Sequence, residues 1–107
     1  MGIPLTLDEI QIAVYKEYLE NDYFKMWNDA GKIGDIAEVG LINTEVSEAL
    51  EEIRNKNSDK KHLTEELADI IIRVLNFASR KDIYLQDAIL EKNIKNTKRL
   101  FKHGRDV

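Results

Sequence analysis

The sequence predicts an all-α protein, a bundle of four helices with room for short additional ones. Apolar residues recur at spacings of three and four in several segments, which is the pattern of amphipathic helices. The composition is rich in Glu, Lys, Leu and Ile and contains a single proline, which also favours helices. No segment shows the alternation of apolar and polar residues that is typical of a strand.

The first helix is predicted to begin near Thr6 and to end by Gly31. Thr6 and Glu9 have the spacing of a capping box, in which each residue hydrogen-bonds to the backbone of the other. The segment GKIG carries two glycines and favours a helix end. The other three helices are predicted over residues 35–55, from 61–64 to 79, and over 83–102.

Length and charge limit the function classes. A chain of 107 residues predicts a single domain spanning residues 1–107. The net charge of −4 argues against nucleic acid as the main partner, because binding to the phosphate backbone needs a concentrated positive field. The sequence has no cysteine, no pattern of a signal peptide and no apolar run of about 20 residues that would cross a membrane. These features predict a soluble cytoplasmic protein.

Two pairs of acids stand at the border of apolar helix faces. Glu45 and Glu48 lie in LINTEVSEALEEIR (41–54), and Glu66 and Asp69 lie in EELADIIIRVLNFA (65–78). Residues three apart on a helix project side by side, and the short turn NKNSDK between the segments predicts antiparallel packing of the two helices. Four carboxylates that face one another would bind a hard cation, Mg²⁺ or alternatively Mn²⁺.

Other interpretations of these acids remain open at this point. Acidic pairs are common on solvated helix faces, and Glu51, Glu52 and Glu65 are interpreted as such surface charges. A carboxylate-bridged di-iron bundle needs Glu-x-x-His pairs, which this sequence lacks. Arg73 lies four residues after Asp69 and either forms a salt bridge with the acids or contacts a phosphate. The apolar run from Asp69 to Val74 indicates burial on more than one side and therefore a partner subunit.

The combination of these motifs resembles the MazG-type all-α nucleoside triphosphate pyrophosphohydrolases. LINTEVSEALEEIR is similar to the first motif of that family, EELADIIIRVLNFA to the second, and KDIYLQDAILEKNIKNTKR (81–99) to the last helix. The tail KHGRDV resembles that of small stand-alone members, so the resemblance covers roughly residues 36 to 105. The first motif of the family often has two adjacent acids, and Thr44 precedes Glu45 here, which leaves the number of metal ions open.

The resemblance implies a MazG-like bundle, completed by oligomerisation to a homodimer or homotetramer, with the site at a subunit interface. It implies hydrolysis of a nucleoside triphosphate to the monophosphate and pyrophosphate, with water attacking the α-phosphorus, as in enzymes that clean the nucleotide pool. The metal ligands would be Glu45, Glu48, Glu66 and Asp69, with Glu48 preferred over Glu45 as the general base.

Substrate contacts are expected from three further segments. Lys92, Asn96 and Arg99 share one face of the last helix, with Asn93 beside them, and cations and amides suit phosphate oxygens. Arg73 is a further candidate for a phosphate contact. Trp27 is a candidate for stacking on the base, together with its neighbours Tyr23 and Phe24.

Two alternative functions remain. A phosphoribosyl-ATP pyrophosphohydrolase would have the same acidic cage and a different pocket for the base. A non-catalytic helical interaction module would use the acids only to solvate the bundle.

Overall fold

The computed structural model describes residues 5–55, 57 and 59–103, with side chains described up to residue 98. Most of the KHGRDV tail therefore lies outside the described residues. The described chain is all-helical, as predicted, with five helices: α1 (Leu7–Leu19), α2 (Asp22–Asp29), α3 (Lys32–Arg54), α4 (Lys60–Arg80) and α5 (Leu85–His103). None of these described helices is both long enough and apolar enough to cross a membrane.

The predicted first helix is in fact two helices. The capping box is confirmed, because the Glu9 backbone N–H donates to Thr6 Oγ1 at 3.1 Å and the Thr6 N–H donates to Glu9 Oε1 at 2.9 Å. However, α1 ends at Leu19, and Asn21 caps a new helix by accepting from the Tyr23 backbone N–H at 2.7 Å. The side chain of Asn21 thus starts the short helix α2 where a continuous helix was predicted.

A helix ends before Gly31, as predicted, because α2 ends at Asp29. The GKIG segment also begins the next helix, α3. Gly31 precedes α3 with a φ of +60°, a conformation that glycine adopts without the steric penalty of a side chain. Gly34 lies inside α3, where a Cβ would stand 1.9 Å from the carbonyl oxygen of Trp27. Glycine is needed at position 34 because α2 and α3 approach each other closely there. Helix α3 begins at Lys32, three residues before the predicted start.

Helices α3 and α4 form an antiparallel pair, which is the most extensive packing within the described chain. The chain order reverses across the pair, since Arg73 contacts Glu45 and Arg80 contacts Asp35. Asp59 caps α4 by accepting from the His62 backbone N–H at 2.8 Å. The turn predicted from NKNSDK therefore has the expected effect of folding the two acidic segments back on each other.

Gln11 joins α1 to the connection between α4 and α5. Its side chain is fully buried; Nε2 donates to Ser79 Oγ at 2.9 Å and to the Ile83 carbonyl at 2.7 Å, and Oε1 accepts from the Leu85 backbone N–H. Helix α5 packs on α1 and has no comparable packing against α3 or α4. The direction of α5 is therefore set by α1.

The buried apolar core is small for a chain of this length. Ala49, Leu75 and Ala78 are the buried apolar residues among the described residues. Large apolar side chains on α3 and α4 are exposed in this single chain: Ile36, Val39, Val46, Leu50, Ile53, Leu67 and Ile71. Large exposed apolar surfaces mark interaction sites in soluble proteins.

Candidate metal and nucleotide site

Three carboxylates from two helices converge at one end of the α3–α4 pair. One oxygen each from Glu45, Glu48 and Glu66 lies within 4.8 Å of the others. Glu45 and Glu48 are neighbours because they are three residues apart on α3, and the antiparallel partner α4 brings Glu66 opposite them. The structure thus brings together three of the four acids that the sequence predicts as metal ligands.

Glu66 has a buried carboxylate oxygen without a partner and a raised pKa, two features that a bound cation would explain. Its Oε2 is buried and has no hydrogen-bond partner among the described residues, which is uncommon because buried polar atoms are normally satisfied. Burial raises the pKa of the Glu66 carboxyl, and the negative charges of Glu48 and Glu45 raise it further. A divalent cation would satisfy the free oxygen and neutralise the charges, and three carboxylates are a donor set that suits Mg²⁺ or Mn²⁺.

Two further acids lie beside this cluster. Asp69, the fourth predicted ligand, is exposed, does not belong to the group within 4.8 Å, and lines the adjacent cleft. Its charge nevertheless helps to raise the pKa of Glu66, as does that of Glu52. Glu52 is half-buried and lines a shallow groove with Glu48 and Glu66, so its interpretation as an ordinary surface charge does not fit its position.

Arg73 forms the salt bridge that was one of its two predicted roles. Its Nε donates to Glu45 Oε1 at 3.0 Å, and the side chain of Glu45 is only 12% exposed. Arg73 is itself 43% exposed and lines the adjacent cleft. The guanidinium group therefore orients Glu45 and also lies at the cleft. The predicted phosphate contact of Arg73 stays a prediction.

The cleft beside the acids has a volume of about 660 Å³ and lies between α1, α2, α3 and α4. Tyr23 and Trp27 line it, with nearly parallel rings (18°) whose centroids are 6.2 Å apart. Phe24 instead contacts Tyr15 and Tyr18 edge-on, with centroids 6.0 and 5.7 Å away. Of the three aromatic residues of α2, Trp27 and Tyr23 therefore face the predicted base pocket and Phe24 belongs to an aromatic cluster.

The inner wall of the cleft contains a buried ionic network. Glu38, which is 5% exposed, accepts from Tyr18 Oη at 2.6 Å and from Arg80 Nε at 2.8 Å. Arg80 also donates from Nη2 to Asp35 at 2.6 Å, and Lys81 donates to the second oxygen of Asp35 at 2.7 Å.

The titration of two members reflects these contacts. Burial and the hydrogen bond to Glu38 raise the pKa of Tyr18, so that its hydroxyl proton stays on the phenol. The hydrogen bonds from Lys81 and Arg80 lower the pKa of Asp35. The network therefore holds α1, α3 and α4 together with its charges in place.

Asn76 is a second polar residue with an unsatisfied atom. It lines the cleft, is 8% exposed, and its Oδ1 has no hydrogen-bond partner among the described residues. Neither Asn76 nor the ionic network was recognised in the sequence. Spacing offered a signal, because Glu38 lies seven residues before Glu45, and Arg80 lies seven after Arg73. Residues seven apart share a helix face, so both polar stripes continue the acidic motifs.

The predicted substrate-binding residues of α5 are not brought to the acids within one chain. Lys92, Asn93 and Asn96 are exposed to solvent, and α5 packs on α1 rather than on the acidic helices. The side chain of Arg99 lies outside the described residues. Their role in binding a substrate stays a prediction.

Comparison with known protein families agrees with this geometry. The family described as MazG nucleotide pyrophosphohydrolase domain matches residues 39–101, which include both acidic motifs, Arg73, Asn76 and most of α5. The fold and site therefore define an all-α nucleotide pyrophosphohydrolase domain. The chain belongs to the MazG family. No curated protein and no solved structure matches the chain.

Proposed function

We propose that this protein hydrolyses nucleoside or deoxynucleoside triphosphates to the monophosphate and pyrophosphate in a reaction that depends on Mg²⁺. The observation that carries the proposal is the convergence of Glu45, Glu48 and Glu66 next to a cleft lined by two stacked aromatic rings. Such a site can hold the charged and the aromatic ends of one nucleotide. We further propose that residues 1–107 act as one domain in the cytoplasm, where the nucleotide pool is.

The metal would be held by Glu45, Glu48 and Glu66, with Asp69 as a further ligand. The family generally uses a divalent metal ion, which would neutralise phosphate charge and lower the pKa of the attacking water. Glu66 Oε2, which lacks a hydrogen-bond partner among the described residues, supports this assignment. Mn²⁺ has the same preference for oxygen ligands and would be an alternative.

Glu48 is the best placed of the three acids to act as the general base. Glu45 is held by Arg73 and Glu66 is partly buried, whereas Glu48 is exposed and makes no hydrogen bond to another described residue. Glu48 would accept a proton from the water that attacks the α-phosphorus, and pyrophosphate would leave as the bond between the α-phosphorus and its bridging oxygen breaks. Arg73, at the edge of the cleft, would contact a phosphate oxygen.

An assembly of several copies would complete the site. The exposed apolar side chains of α3 and α4, such as Val46 and Ile71, are what a homodimer or homotetramer would cover. Because α5 packs away from the acids of its own chain, its residues Lys92, Asn93, Asn96 and Arg99 would serve the site of another copy. The mass of the protein in solution, measured by light scattering, tests this: a monomer at micromolar concentration would contradict it.

The activity is tested by pyrophosphate release from a panel of canonical and modified triphosphates with Mg²⁺. Glu48→Gln is expected to lower kcat by about 10²–10⁴-fold, which is the usual contribution of a general base. Glu65→Gln is the matched control, because Glu65 is an exposed neighbour outside the cluster and its replacement should leave kcat unchanged.

Two outcomes would replace the proposal. Consumption of phosphoribosyl-ATP, with no activity on any common triphosphate, would indicate the alternative pyrophosphohydrolase. No activity on either class, with no effect of Mg²⁺ on the melting temperature, would indicate a non-catalytic helical module.

A further inference from the structure

We propose that Arg73 is the counter-ion of the acidic cluster while the site holds no substrate, and that a substrate phosphate takes Arg73 from Glu45 when it binds. The metal ion would therefore enter the site together with the nucleotide rather than ahead of it. This inference rests on the proposed function, since it assumes that Glu45 is a metal ligand and that the phosphates of the nucleotide lie at the edge of the cleft near Arg73.

Arg73 is the one cation, among the residues that the structure describes, in an ion pair with the three converging acids. Its Nε donates to Glu45 Oε1 at 3.0 Å, whereas Glu48 and Glu66 form no salt bridge with a described residue. One oxygen from each acid lies within 4.8 Å of the others, so their negative charges repel one another. Without a metal ion, the guanidinium group of Arg73 offsets this repulsion.

A divalent cation and Arg73 compete for the same negative charge. The guanidinium group bonds directly to one of the proposed metal ligands, Glu45, whose side chain is only 12% exposed. A metal ion at the cluster would therefore either lie close to a positive charge or displace it, and like charges at short range repel most strongly where solvent is partly excluded. We therefore expect Arg73 to weaken the binding of a metal ion that arrives alone.

The side chain of Arg73 is able to change partners. It is 43% exposed and lines the cleft, so it has room to move. A guanidinium group carries N–H donors on three nitrogens, and of these only Nε donates to a described residue. Phosphate oxygens accept paired hydrogen bonds from a guanidinium group, and a triphosphate carries several negative charges where a carboxylate carries one. A bound triphosphate therefore favours Arg73 at its phosphates and leaves Glu45 to the metal.

This exchange couples the binding of the metal to the binding of the nucleotide. A nucleotide that removes Arg73 from Glu45 raises the affinity for the metal, and the metal must raise the affinity for the nucleotide by the same factor, because coupling between two ligands is reciprocal. Direct contact of the metal with a phosphate also couples them, and it does so whether or not Arg73 is present. The contribution of Arg73 is therefore the part of the coupling that disappears when this residue is replaced.

The first experiment measures the binding of Mn²⁺ by titration calorimetry without nucleotide. Arg73→Met should bind Mn²⁺ at least about threefold more tightly than wild type, because the competing charge is gone, whereas Arg73→Lys keeps the charge and should stay within about twofold of wild type. Arg54→Met is the matched control, because Arg54 pairs with Glu51 outside the three converging acids, and its affinity should also stay within about twofold. An unchanged or weaker affinity in Arg73→Met, or equal tightening in Arg54→Met, would overturn the inference.

The second experiment repeats the titration with α,β-imido analogues of the common deoxynucleoside triphosphates, which cannot release pyrophosphate, and corrects for the Mn²⁺ that each analogue binds in solution. The affinity of the wild type for Mn²⁺ should rise at least about tenfold, and this factor should be at least about threefold smaller in Arg73→Met. An equal factor in both proteins would overturn the inference. If no analogue binds and no triphosphate is hydrolysed, the proposed function fails, and the titration without nucleotide alone then decides whether Arg73 opposes the metal.

Discussion

Replacing Arg80 with methionine would remove the guanidinium group that joins α4 to two carboxylates of α3. Arg80 donates to Glu38 at 2.8 Å and to Asp35 at 2.6 Å, and the side chains of Arg80 and Glu38 are 2% and 6% exposed. Removal of one partner of a buried ion pair leaves an uncompensated charge and costs about 3–5 kcal/mol. The unfolding entropy of a domain of this size is about 0.2 kcal/mol per kelvin, so the melting temperature should fall by roughly 15–25 °C.

The assay is thermal and urea unfolding followed by circular dichroism, with Lys81→Met as the matched control. Lys81 also bonds to Asp35, at 2.7 Å, but its side chain is 42% exposed, so its loss should cost less than about 1 kcal/mol. Adding Glu38→Gln to Arg80→Met should restore part of the stability, because it removes the unpaired buried charge. Equal effects of Arg80→Met and Lys81→Met would refute the burial of this network.

Three further predictions concern the cluster, the contact of α2 with α3, and acid stability. Glu66→Gln should raise the melting temperature without metal, because the cluster loses a charge. It should also diminish the gain from Mg²⁺, which for wild type is about 7 °C at ten times Kd. A lower melting temperature without metal, together with an undiminished gain from Mg²⁺, would contradict the site. Gly34→Ala should destabilise the protein by about 1–3 kcal/mol, because the added Cβ would meet the carbonyl oxygen of Trp27. Gly40→Ala should stabilise it by about 0.5–1 kcal/mol, because a Cβ there would meet only open space. The free energies of unfolding in urea distinguish the two variants, and equal effects would contradict the close contact of α2 with α3. The hydrogen bond from Lys81 lowers the pKa of Asp35 in the folded protein. The stabilisation from this bond is therefore present above the ordinary pKa of about 3.9 and is lost as the pH falls below it. Asp35→Asn should reduce the loss of stability at acidic pH, measured as the free energy of unfolding against pH, and an unchanged slope would contradict the bond.

The sequence was sufficient for those features that depend on local spacing. The capping box of Thr6 and Glu9, the turn between the acidic helices, and the side-by-side placement of Glu45 and Glu48 all follow from residues within one or two helical turns. Such features depend on interactions between residues three or four apart in the chain, as in a capping box or a pair of side chains on one helix face, and these interactions can be read from the sequence. The antiparallel approach of Glu66 also followed, since a short turn leaves two helices little choice of arrangement.

Tertiary packing decided the features that depend on which helix faces meet. The sequence contains the two-turn spacing from Glu38 to Glu45 and from Arg73 to Arg80, but spacing along one helix does not determine how deeply a side chain is buried or which partner it finds. Burial of Glu38 against Arg80 arises only when α1, α3 and α4 pack together. The unsatisfied oxygen of Asn76 likewise becomes visible only once its surroundings are closed.

The sequence by itself therefore determined the helical class, the acidic motifs and the family to which they belong. The three-dimensional structure decided that three acids share a point, that Arg73 holds one of them, that Gly34 serves a close helix contact, and that α5 lies against α1. The physical reason is range: propensity, capping and spacing act between neighbours in the chain, whereas the depth of burial and the pairing of charges depend on residues that are distant in sequence and meet only in the folded chain.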